Sequence, residues 1–367
     1  MLAAKPNPLS RGRGASQVVL RRASWAGTID VCERRGPPLE ANHSLSVRSY
    51  DASLDPGRIA ELINSSRSSS CEDRAEVTAD QVRAFIAESW DDFDIRTDVH
   101  LFFCDGRLVG YERTKRETWG NGARAYHAML FLHPDWRGKE ILTEALMDLR
   151  QYQLDYAARY DGEADPFIAI MPQPADPPIL AALRAAGFEP CRVFLSMERD
   201  LTRPVVPETL PAGLTQRPLD ALTYRAIYDF DRRIMRDGWG VEAPNERHFK
   251  WWAEEAFQDP ELWRVAWDRD RIVGTAAGAV RGTWNPSLGG ERAEIRFVRV
   301  DPPWRRRGIA RALILECLSA LWQRGIRIVE LSVDGENEAT AGALYRRLGF
   351  EVTARQVTYR YDLALRR

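Results

Sequence analysis

The sequence predicts an α/β protein built from two tandem copies of one domain, each a mixed β-sheet with helices on both faces. Three observations carry this. The 367-residue length suits two domains at roughly 150 residues apiece. A break at 201–213, with Pro204, Pro207, Pro211 and Gly213, reads as an extended linker between two stretches of similar size, 44–200 and 214–367. Short matches also recur in the same order in both stretches: Asp105–Gly110 with Arg269–Gly274, Thr118-Trp119 with Thr283-Trp284, Pro134–Arg137 with Pro302–Arg305, and Gly187-Phe188 with Gly349-Phe350. Ordered matches with slowly drifting spacing indicate duplication with small insertions.

The elements of the second stretch follow from local pattern. Leu214–Leu219 reads as a strand, 220–236 and 245–258 as helices, and Trp263–Trp267 with Arg271–Arg281 as a hairpin, followed by a strand over Glu291–Val300. Ala310, Leu313, Ile314, Cys317, Leu318 and Leu321 recur at helical spacing, and Gly325 ends that helix. Ile326, Ile328, Leu331 and Val333 give a largely alternating strand, and 338–348 a short helix stopped by Gly349. Strands over 350–355 and 357–363 close the chain. This order places helices on a mixed sheet. Residues 1–43 carry five basic residues before the first acid at Asp30, without the apolar face of an amphipathic helix. They read as a disordered extension or an upstream start, not a secretion signal.

Composition excludes several functions. Lys+Arg 52 against Asp+Glu 53 gives a net charge of -1, without the basic excess expected of a nucleic-acid grip. No apolar run is long enough to span a membrane. Five scattered cysteines, none in C-x-x-C, fit reduced thiols in a cytoplasmic protein, and the five histidines show no ligand spacing, so no metal is expected.

The chemistry concentrates near the C-terminal end. A strand runs through Ala293-Glu-Ile-Arg-Phe-Val-Arg-Val300 into a turn with Arg305-x-x-Gly308-x-Ala310, where a helix begins. Small residues and a helix N-terminus make such a turn a phosphate cradle. Asn337 and then Leu344-Tyr345-x-x-x-Gly349-Phe350 follow the next strand. Together these motifs resemble the GNAT superfamily of acetyl-CoA-dependent N-acetyltransferases, and the resemblance covers the element order of all of 214–367.

The resemblance implies that acetyl-CoA lies across the splayed strands 291–300 and 326–333, beside Val298 and Val300. Its pyrophosphate would sit on Arg305, Arg306, Arg307, Gly308, Ile309 and Ala310. Tyr345 matches the tyrosine that protonates the departing thiolate; a phenol of pKa ~10 can donate to a thiolate whose conjugate acid lies near ~8.5. Asn337 either contacts the CoA arm or caps the following helix. A lysine-like acceptor amine, of pKa ~10.4, is neutral at pH 7 in about one molecule in 2,500, so it needs a base. Glu294, by its spacing before Arg305, is the candidate base, the other reading being a solvated strand glutamate. Trp239, in Asp237-Gly-Trp-Gly240, is a candidate lining residue of the acceptor pocket.

The first stretch departs from the motif. Arg137 matches Arg305, but Glu140 stands at the Gly308 position, Leu142 at Ala310, Ala175 at Asn337 and Leu183 at Tyr345. A carboxylate at ~4 Å from a phosphate costs roughly 4 kcal/mol at an effective dielectric of 20, about a thousandfold in affinity. The expected protein transfers acetyl from acetyl-CoA to a small-molecule or peptide amine, with catalysis in 214–367 and 44–200 as a degenerate, non-catalytic scaffold. A mycothiol-synthase-like tandem enzyme is one alternative; a non-catalytic acyl-CoA sensor is another.

Overall fold

A computed structural model describes residues 29–30, 45–66, 76–87, 93–136, 140–158, 164–172, 177–217, 219–236, 238–280 and 292–363. Of the N-terminal extension, Ile29–Asp30 are described: they form strand β1, paired antiparallel with β2 (Leu45–Ser49). The first half continues with α1 (Asp55–Ser66), α2 (Ala79–Ala87), β3 (Val99–Cys104), β4 (Arg107–Thr118), β5 (Ala123–Leu132), α3 (Glu140–Ala157), β6 (Ala164–Ile170), α4 (Pro177–Ala185) and β7 (Glu189–Asp200). The second half repeats the order with β8 (Thr215–Gln216), α5 (Ala221–Met235), α6 (Glu246–Ala256), β9 (Trp263–Asp268), β10 (Arg271–Val280), β11 (Arg292–Val300), α7 (Ile309–Gln323), β12 (Ile328–Asp334), α8 (Ala343–Arg347) and β13 (Glu351–Asp362).

Local chemistry sets several boundaries. A capping box between Asp220 and Thr223 starts α5, and the Asn245 side chain caps α6. Gly325, at φ +82°, follows the end of α7 in a conformation that costs a glycine little. The segment expected as one helix over 338–348 is a 3-10 turn (Gly335–Asn337), a π-helical turn (Glu338–Gly342) and then α8.

All the strands among the described residues join one sheet in the order β1-β2-β3-β4-β5-β6-β13-β7-β12-β11-β10-β9-β8. The last strand of each half is exchanged. β13 lies between β6 and β7, and β7 lies between β13 and β12. Two closing strands, 350–355 and 357–363, are therefore replaced by a single one. Glu351–Asp362 contains neither Gly nor Pro to turn the chain, and it pairs with β7 along its length and with β6 at its end. The break near 356 is absorbed by register shifts at Val352/Ala354 and Thr358/Tyr359.

Helices cover both faces in each half. One face of the first half packs Leu142, Leu146, Leu183, Phe188 and Ile168 with α3 and α4, and the other packs Ile59, Ile86, Leu101 and Tyr111 with α1 and α2. In the second half, Leu313, Leu318, Val329 and Phe350 form the core under α7 and α8, while Tyr228, Trp252, Trp263 and Trp267 form the core under α5 and α6. Cys104 and Cys317 are buried thiols, Cys191 is an exposed one, and Cys32 and Cys71 lie outside the described residues. Among the described residues no helix is long and apolar enough to cross a membrane, and no His/Cys/Asp/Glu group could hold a metal ion.

Candidate active site

The site begins where two parallel strands part. β11 and β12 pair only at Arg292↔Ile328, Ala293↔Val329 and Glu294↔Glu330, and the rest of each strand diverges. β11 also carries an extra residue relative to β10: Thr275 faces Arg299 while Ala277 faces Arg296. Phe297 absorbs the insertion at φ +52°, a left-handed conformation costly for a bulky side chain. Its ring stacks on Trp263 at 5.2 Å, and its carbonyl accepts from Thr275 Oγ1 at 2.8 Å. Packing and a hydrogen bond thus hold the bulge that bends β11 away from its neighbour.

The opening leads to the start of α7. Arg306 and Gly308 both have positive φ, +64° and +86°, and Gly308 is the N-cap of α7 without a side chain to cap it. The first-turn amides of Ile309, Ala310 and Arg311 are left for an anion, with the positive end of the helix dipole behind them. Ile309 anchors the turn by burying its side chain in the core, while Arg305, Arg306, Arg307 and Gly308 stay exposed. Arg305 Nε donates back to the Val300 carbonyl at 3.1 Å, and the Arg307 guanidinium lies 4.8 Å from the centre of the Trp304 ring. Val298 and Val300 pack, half-buried, on the core under α7.

Glu294 and Tyr345 flank the opening from opposite faces of the sheet. Tyr345 is buried beside Phe350, their rings edge-on at 6.0 Å. Burial raises its pKa, against the pull of Arg299, so the phenol holds its proton at neutral pH. Glu294 lies on the α5/α6 face, 22% exposed, with Oε2 accepting from Arg296 Nε at 2.9 Å. It belongs to a lateral row of four glutamates in register across four strands: Glu294, Glu330, Glu198 and Glu351. Arg292 bridges Glu330 and Glu198. Asn337 is exposed at the end of its 3-10 turn, and its side chain caps no helix.

Several neighbours escaped the motif reading. Arg299 Nε donates to the buried Asp231 of α5 at 2.8 Å. Tyr228 and His248 meet at 2.9 Å, and burial lowers the His248 pKa to about 4, so it is neutral at pH 7. Trp239 is half-buried, packing against Trp119 (4.8 Å), Phe194 (5.8 Å) and His127 (6.3 Å), all from the first half. Backbone hydrogen bonds Gly120 N→Val241 O and Ala243 N→Thr118 O tie the α5–α6 connection to the end of β4. The pairing of Glu294 with Arg296 is the one contact of this set that lies within a short stretch of sequence, since residues two apart on a strand share a face.

The first half lacks this geometry. β4 and β5 pair without a register break from Gly110↔Leu132 to Thr118↔Arg124, and β6 is still paired with β5 at its last residue, Ile170. Leu142 and Leu183, at the positions of Ala310 and Tyr345, are fully buried in the core under α3 and α4. Arg137, Ala175 and the Glu140 side chain lie outside the described residues, as does Trp284.

Residues 224–350 match the acetyltransferase (GNAT) family. The second half is a GNAT acetyltransferase domain. A protein of Geodermatophilus obscurus named mycothiol acetyltransferase is 29% identical over 86% of this chain and 97% of its own length. One of the same name from Amycolatopsis mediterranei is 28% identical over 71% of this chain and 83% of its own. Among solved structures, a GCN5-related N-acetyltransferase from Sphaerobacter thermophilus superposes with a TM-score of 0.68 and 26% identity, covering 87% of this chain and 96% of that one. A tandem GNAT protein from the clavulanic acid biosynthesis pathway shares the fold, with a TM-score of 0.57 at 16% identity over 87% of this chain and 99% of that one. The protein is an acetyltransferase of GNAT type with a tandem fold.

Proposed function

We propose that the second half transfers acetyl from acetyl-CoA to a primary amine, and that the first half binds no acetyl-CoA. The carrying observation is the opening between β11 and β12 that ends on the uncapped amides of α7; in the first half β4 and β5 pair without a register break, and β6 stays paired with β5 to its last residue, Ile170. Acetyl-CoA supplies an acetyl group activated as a thioester. Arg306, Arg307, Gly308, Ile309 and Ala310 hold its pyrophosphate by backbone amides and positive charge, Arg305 fixes the turn, and Asn337 reaches the CoA arm. Val298 and Val300 support the strand beside it.

Glu294 takes the proton from the acceptor ammonium, directly or through water, at the carboxylate oxygen not held by Arg296. Tyr345, kept protonated by burial, returns a proton to the sulfur as it leaves. Trp239 walls the acceptor side together with first-half residues. The relatives' name favours a mycothiol-related amine as the acceptor, because the match spans nearly the whole length of one such relative.

Calorimetric titration of acetyl-CoA into the full chain tests the reading. One site per chain, abolished by Gly308→Glu, is expected. Two sites would overturn the assignment of the first half, and no binding would overturn the proposal. Release of free thiol on addition of a mycothiol-type amine, exceeding that with simple amines, tests the acceptor.

A further inference from the structure

The exchanged strand β7 brings one first-half side chain to the rim of the second half's opening. Arg192 donates to Asp334 Oδ2 through Nε at 3.0 Å and Nη2 at 2.5 Å, and its remaining arm also meets Glu336. Arg192 and Asp334 are largely buried, their side chains 14% and 18% exposed. The other oxygen of Asp334, Oδ1, accepts from the Glu336 amide at 3.1 Å and so caps the 3-10 turn Gly335–Asn337. The turn also rests on β7 itself: a Cβ added at Gly335 would stand 3.0 Å from the Val193 carbonyl oxygen. Asn337, the last residue of this turn, makes no side-chain cap to the helical turn that follows, and its carbonyl accepts from Thr340 Oγ1 at 3.3 Å.

We infer that Arg192 is a positioning residue for acetyl-CoA in the second half, acting through Asp334 on the turn that presents Asn337. This rests on the acetyl-CoA reading above. The planar guanidinium fixes one carboxylate oxygen in a forked geometry, which leaves the other aimed at the turn amide. Without it, Asp334 is free to rotate into solvent and the turn loses its cap. The first half thereby contributes to cofactor binding by the second through a strand it lends, without binding acetyl-CoA itself.

The test uses the full chain and its Arg192→Met and Arg192→Lys variants. Arg192→Met is expected to weaken acetyl-CoA binding about tenfold, the loss of a charge-assisted hydrogen-bond pair. The KM for acetyl-CoA rises with it, while the KM for the amine and kcat stay within about twofold, and Arg192→Lys recovers part of the loss. Unchanged acetyl-CoA affinity with a lowered unfolding temperature would reduce Arg192 to a structural contact and overturn the inference. Should Arg192→Met not fold, Gly335→Ala, which lifts the turn off Val193, is expected to produce the same selective loss, and wild-type affinity there would equally overturn it. Hydrogen exchange at the amides of 335–337 in the ligand-free chain separates this inference from the function it rests on. Faster exchange in Arg192→Met is expected, and equal exchange overturns the inference even where acetyl-CoA proves not to be the ligand.

Discussion

Strand β4 in the first half and β10 in the second occupy the same place in the repeat and are buried alike, yet their chemistry is opposite. β10 runs Thr275-Ala-Ala-Gly-Ala-Val280, small and largely apolar. β4 buries Glu112, Arg113, Thr114, Arg116 and Glu117. Small residues bring α7 close, since a Cβ at Gly274 would stand 2.8 Å from Ile309. The helix whose first turn is the proposed phosphate cradle is thus seated directly on β10. In the first half, side-chain hydrogen bonds replace that contact: Gln153 of α3 donates to Thr114 at 3.0 Å, Thr114 to Glu112 at 2.5 Å, and His100 lies 2.7 Å from Glu112. One fold tolerates both solutions because Glu112 and Thr114 of β4 find hydrogen-bond partners on β3, on α3 and on each other.

The largest expected effect tests that polar solution. Arg116 Nη1 lies 2.6 Å from Asp98 Oδ2, both side chains essentially excluded from solvent. Asp98→Ala strands a buried guanidinium and is expected to cost about 3–5 kcal/mol by denaturant unfolding. Installing the second half's residues at both places, Asp98→Leu with Arg116→Val, is expected to recover most of it, since a buried ion pair is often replaceable by packed apolar groups. A double variant as unstable as the single one would show that Tyr152 and Gln153 bind the network into one unit.

Next in size is the difference in chemistry. Tyr345→Phe is expected to lower kcat about a hundredfold with acetyl-CoA affinity retained, as removal of a general acid does. Leu183→Tyr, which places a phenol at the equivalent first-half position, is expected to add no activity and to lose stability by overpacking a fully buried site. Steady-state rates and thermal unfolding read both.

The smallest effect is a divergence with pH. Burial raises Asp148 of α3 to about 6 and lowers His248 of α6 to about 4. His248 binds its proton more weakly folded than unfolded, so its contribution is complete above its ordinary value and is lost as pH falls toward 4. Asp148 binds its proton more tightly folded, so its contribution is present at low pH and is lost as pH rises through about 6. His248→Gln is therefore expected to lessen acid destabilisation, and Asp148→Asn to raise the unfolding temperature at pH 7 but not at pH 4. Parallel responses of the two variants would remove the contrast.

Much of this architecture can be read locally. The helical spacing of Ala310–Leu321, the hairpin Trp263–Val280 and the turn around Gly308 lie within short windows whose periodicity determines them. Charge and exposure misdirect at β4, because Glu112-Arg-Thr-Lys-Arg-Glu117 has the composition of a solvated strand. Its burial depends on partners as distant as Gln153 and Asp98. The glutamate row and the Arg192–Asp334 contact depend on which strands are neighbours. Alternation along a strand fixes its faces but not the identity of its partners. For the same reason β13 read as two short strands: nothing within 351–362 reveals that both its edges are occupied by the other half.

Strand exchange also bears on how the chain is made. During synthesis the first half can assemble β1 to β6, but the free edge of β6 finds its mate only when Glu351–Asp362 leaves the ribosome. Until then it is a bare strand edge of the kind that recruits other chains. Closure over so long a sequence separation is intrinsically slow. A messenger cut short before β13 would leave that edge permanently open, yielding an aggregation-prone fragment in place of a smaller working protein.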